Sequence, residues 1–117
     1  MKWEETALEV LKSKFSLPSV TASDSDIERF IDSETKFISQ AQDVSALSRI
    51  FGVIAYINSL EQPRRAGLLE RLLKYLHELK KKLDSIGKTW GVDSYSIGVE
   101  FTGLSLTLNF KIPETSS

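Results

Sequence analysis

The side chains able to do chemistry are few and scattered. His77 is the only histidine and there is no cysteine. Disulfides, thiolate metal sites and thiol nucleophiles are therefore excluded. His77 stands beside Lys74, Lys80 and Lys81 with no carboxylate cluster to complete a metal site. Glu61, Asp84, Asp93 and Glu100 are the acids best placed to be argued over, yet no two share a spacing that forces them together. Acid–base or nucleophilic catalysis needs a convergent set of groups. Ser94 and Ser96 alternate with apolar neighbours and need no role beyond solubility. Phosphate-loop, dinucleotide and zinc motifs are absent. No enzyme, cofactor or metal is expected.

Basic residues offer a second chemistry. Residues 63–92 carry Arg64, Arg65, Arg71, Lys74, Lys80, Lys81, Lys82 and Lys88 against Glu70, Glu78 and Asp84. Arg64, Arg65, Arg71 and Lys74 are the candidates for contacting a nucleic-acid backbone. Lys80, Lys81 and Lys82 point in three directions on a helix, and no aromatic residues interleave with them as a stacking platform. The net charge of −1 gives no bulk attraction to phosphate or membrane.

The elements that would carry these residues are more legible. Trp3, Ala7, Leu8, Leu11 and Phe15 recur at helical spacing and predict a short helix over about 2–14. Ser16 to Ser23 reads as a loop. Ser25 with Glu28 forms a capping box for a helix bearing Ile27, Phe30, Ile31, Phe37, Ile38 and Ala41. Val44 to Leu60 is apolar on two stripes, as in a helix lying between two neighbours. A break is expected near 42–44, with Asp43 or Ser45 as cap. Gly52 in this segment suggests a close neighbour. Pro63 separates this helix from the next and suits the next one's first turn.

Leu69, Leu72, Leu76, Leu79, Leu83 and Ile86 then follow at alternating spacings of three and four. That is a heptad seam, able to pack on the 44–60 helix or on the same helix of a second chain. Gly87 is the expected C-cap. Tyr95, Ile97, Val99 and Phe101 next alternate with polar residues, as do Leu104, Leu106, Leu108 and Phe110. With Thr102-Gly103 as the turn, Phe101 would pair with Leu104 and all eight apolar side chains would share one face. A lone hairpin is marginal in water, so this face needs a partner surface.

The expectation is an α+β fold: an antiparallel bundle of three or four helices with a C-terminal β-hairpin packed on it. Residues 1–112 would form one domain and 113–117 a flexible tail. The start of the chain lacks the apolar run of a secretory signal, and no run is long enough to span a bilayer. A cytoplasmic protein is expected. The favoured function is a non-enzymatic assembly module that self-associates, as a dimer, through the Leu69–Ile86 seam and the hairpin. Nucleic-acid binding by the basic helix 64–88 is the alternative. A third reading is a ligand pocket with Trp90 and Tyr95 at its rim.

Overall fold

The computed structural model describes residues 18–19, 21–100 and 103–111. The expected helix at 2–14, the turn residue Thr102 and the tail at 113–117 lie outside the described residues. Helices α1 (Asp24–Gln40), α2 (Ala46–Asn58), α3 (Gln62–Gly67) and α4 (Leu69–Ile86) are followed by a 3-10 turn, Gly87–Trp90. Strands β1 (Val92–Glu100) and β2 (Gly103–Phe110) close the described chain as an antiparallel hairpin. The fold is α+β.

The cap of helix α1 lies two residues before the expected one. Ser23, not Ser25, is the N-cap, and its hydroxyl accepts the Asp26 N–H at 3.3 Å. Asp24 and Asp26 then occupy the first turn, where the exposed amides favour negative charge. Helix α1 ends at Gln40 and α2 starts at Ala46, so the expected break is present. Asp43 holds it: its carboxylate accepts the Ser45 N–H at 2.8 Å, which keeps the Asp43 carboxyl below its ordinary range.

Ion pairs show how the helices run. Glu34 and Arg49 tie α1 to α2, and Phe30 meets Tyr56 edge-on at 5.1 Å, so these two helices are antiparallel. Arg71 reaches Glu28 and Asp32, and Lys82 reaches the Ser39 carbonyl, so α4 runs parallel to α1. The bundle goes up, down and up. The heptad seam packs chiefly on α1, not on the 44–60 helix as one option had it. Leu72, Tyr75, Leu76, Leu79 and Leu83 are buried there against Ile27, Ile31 and Ile38.

The helix expected to run on from Pro63 is interrupted. Gly67 is a poor helix former, and Leu68 leaves helical geometry at φ −102° and ψ 4° while burying its side chain. Gly87 is the C-cap of α4, as expected, but it stays in right-handed helical geometry; the left-handed residue that turns the chain is Gly91, with φ +82°. Trp90 plugs the end of the bundle, its indole N–H donating to the Gln42 carbonyl at 3.0 Å.

The hairpin register differs from the expectation by two residues. Val99 faces Leu104, Ile97 faces Leu106 and Tyr95 faces Leu108. Because strand faces repeat every two residues, this slip leaves the apolar set on one side. A bulge at Asp93 brings Val92 opposite Phe110 and into the core. Strand β2 lies against α2, and β1 against α4 and the 3-10 turn.

One buried polar group stands out. Arg49 grips Glu34 with two hydrogen bonds, 2.8 and 2.7 Å, and its guanidinium sits 3.8 Å over the Phe37 ring. The fully buried Tyr75 hydroxyl feels the charges of both partners but has no hydrogen-bond partner among the described residues. A buried hydroxyl left unpaired costs roughly 1–3 kcal/mol. Tyr75→Phe should therefore leave stability unchanged or raise it by up to about 1 kcal/mol. Urea denaturation of the two proteins checks this.

Candidate interaction site

One side chain fastens the inner strand of the hairpin to α2. Asn58, at the end of α2, donates its amide N–H to the Leu104 carbonyl at 2.9 Å and accepts the Leu104 N–H at 2.8 Å. The side-chain amide thus stands where a third strand would pair. Gly103 makes room for it. It has φ +144°, and a Cβ there would lie 2.4 Å from the Asn58 oxygen. This clamp explains why Gly103 pairs with Glu100 as part of β2 instead of sitting in the turn. The expected register took the Thr102-Gly103 dipeptide as a turn signal; the decisive contact comes from Asn58, far away in the chain.

The clamp also fixes which backbone groups face outward. Leu104 turns its N–H and C=O away from β1, so its partner Val99 turns its own away from β2. Alternation along an antiparallel pair extends this to Ile97 and Tyr95. These three residues form the outer edge of β1, and among the described residues the sheet has two strands.

Beside that edge the apolar surface is incompletely covered. The ends of α3 and α4 and the tip of the hairpin enclose an open hollow of about 410 Å³, lined by Ala66, Leu69, Leu72, Val99, Gly103 and Leu104. Leu69 is 44 %, Leu73 48 % and Val99 46 % exposed. Leu69 and Leu73 lie one helical turn apart, so they continue the Val99 surface along α4. At the other end of β1, Tyr95 donates a hydrogen bond to Asp84, which Lys80 also contacts at 3.0 Å. The bond to Tyr95 holds the Asp84 carboxyl below its ordinary range, with Lys80 assisting. The same bond raises the Tyr95 phenol and the carboxylate raises Lys80.

The residues singled out in the sequence are placed as follows. Leu72, Leu76, Leu79 and Leu83 are buried within the single chain, Ile86 is half-buried, and Leu69 is the seam residue left largely in water. Leu73 and Val99 were not among those candidates. Leu73 widens the leucine stripe beyond the seam, and Val99 belongs to the apolar face of the hairpin. Arg64 pairs with Asp24 and donates to the Ala22 carbonyl; Arg65 donates to the Asn58 and Leu60 carbonyls. Arg71 bridges Glu28 and Asp32, and Lys74 lines a polar hollow with Asp32 and Glu70. These cations mainly fasten the fold. His77 is exposed, and among the described residues no cluster of His, Asp and Glu could hold a metal ion. Trp90 and Tyr95 are tied down by hydrogen bonds, and the apolar hollow lies at the other end of the ribbon. Among the described residues no helix is long and apolar enough to cross a membrane. Comparison with protein-family models, curated proteins and solved structures gave no match.

Two outcomes follow. Asn58→Ala leaves the Leu104 backbone groups unpaired and should cost about 1–3 kcal/mol in urea denaturation. Gly103→Ala should cost at least as much, because strain and the clash with Asn58 add. Tyr56 and Tyr75 are also raised above their ordinary value, by burial, so all three tyrosines shift the same way. A raised folded pKa means that the neutral phenol is the form the fold favours. Their contribution to stability is complete below about pH 10 and lost as pH rises through the folded values. Near-ultraviolet absorbance should show tyrosinate forming at higher pH in the native protein than in urea. Asp84→Asn should bring the Tyr95 step back towards the unfolded position.

Proposed function

We propose that this chain is a non-enzymatic interaction module that self-associates as a dimer through the flank shared by α4 and β1. The observation that supports this reading is the run of Leu69, Leu73 and Val99, each nearly half exposed, beside a strand edge that no other described strand pairs with. Large apolar side chains grouped at the surface commonly mark a contact site. Removing the exposed halves of six such side chains, three from each copy, would contribute roughly 5–9 kcal/mol. Association itself costs about 4–15 kcal/mol. The apolar run offsets much of that cost and needs added contacts for stable pairing.

The heptad seam enters this reading only at Leu69, because Leu72, Leu76, Leu79 and Leu83 are engaged inside the chain. Nucleic-acid binding is less favoured, since Arg64, Arg65 and Arg71 already hold internal partners. Sedimentation equilibrium across the micromolar range tests the proposal. The expected mass approaches twice the 13.2 kDa of one chain. Leu69→Glu should return the protein to a folded monomer, whereas Leu76→Glu, in the core, should unfold it. A mass of one chain at every concentration would overturn the reading.

A further inference from the structure

Resting on that reading, we propose that the partner of β1 is β1 of a second copy, paired antiparallel about a two-fold axis through Ile97 to make a four-stranded sheet. The two edges of the hairpin are unequal. The outer edge of β2 is occupied at Leu104 by the Asn58 side chain. The outer edge of β1 presents the N–H and C=O groups of Tyr95, Ile97 and Val99. Between Tyr95 and Val99 there is no charge, proline or bulge of the kind that protects free strand edges.

The alternation of large apolar and small residues along this edge is symmetric about Ile97. With Ile97 opposite Ile97 of the second copy, Tyr95 faces Val99 and Ser96 faces Gly98. Ser94 faces Glu100, so no like charges meet across the join. All three outward residues then exchange both backbone hydrogen bonds, and any other two-fold pairing of this edge leaves some of them out. The apolar face is continued across the join, because Tyr95, Ile97 and Val99 lie on the same side in both copies. On α4, Leu69 and Leu73 face the same flank as Lys80 and Asp84, which border Tyr95. A second copy arriving edge to edge would cover them, and the backbone hydrogen bonds of the join are the added contacts that the apolar run needs.

Amide hydrogen exchange of the intact protein, read residue by residue at high and low concentration, tests the arrangement. The expected result is that the Tyr95, Ile97 and Val99 amides exchange slowly at high concentration and speed up at least tenfold on dilution. Ser96 and Gly98, bonded to β2, should stay protected throughout. Val99→Lys places a charge on the edge at an exposed position and should give a folded monomer. Val44→Lys, at an equally exposed site between α1 and α2, should leave the dimer intact. A dimer that survives Val99→Lys, or whose Tyr95, Ile97 and Val99 amides exchange freely, would overturn this pairing while leaving self-association standing. A chain that is monomeric at every concentration overturns both. Protection of those amides only when a different protein is added would make the occupant a foreign strand and reject the second copy.

Discussion

A two-stranded ribbon has too few cross-strand neighbours to hold itself together in water, and the way this one is moored governs the rest of the structure. The mooring is Asn58. By offering one donor and one acceptor to Leu104, it stands where a third strand would pair. It fixes the register, demands glycine at position 103 and sets which amides of β1 face outward. Leu104 and Leu106 are buried as a result, and β2 becomes the inner strand of the pair.

The consequence is an asymmetric molecule. One side of the ribbon is drawn onto α2 by the clamp. The other side follows α4 and is pinned near its start by the bulge at Asp93 and by the bond from Tyr95 to Asp84. Towards the tip this second attachment gives out. Gly67 and Leu68 break the helix there, so α3 departs from the line of α4. The hollow beside Leu69 and Val99 is the geometric remainder of that break.

Much of the architecture is legible in the sequence because it rests on periodicity. The apolar stripes of 27–41 and 69–86, the break near Asp43 and the alternation of 95–110 all require only local reading. The features that escape it depend on distant partners. Nothing near Gly103 announces Asn58, so Thr102-Gly103 reads as a turn and the register is displaced by two. The cap at Ser23 competes with Ser25 for the same role, and only the helix start decides between them. The basic run of 63–92 looks like a surface for phosphates until Asp24, Glu28 and Asp32 are seen across from it on α1. The seam of leucines is visible in the sequence and its neighbour is not, because periodicity shows a face and never what covers it. Leu73 widens the leucine stripe and Val99 belongs to the hairpin's apolar face, but that both stay partly exposed is beyond what periodicity shows.

The Arg49–Glu34 grip has a bearing on how the bundle comes apart. Peeling α1 from α2 would strip two charges of each other while both still border oily neighbours such as Phe37. Half-open forms are thereby placed high in energy relative to both the closed bundle and the fully solvated chain. Fraying of α1 by itself is discouraged, and the two helices should let go as one cooperative unit.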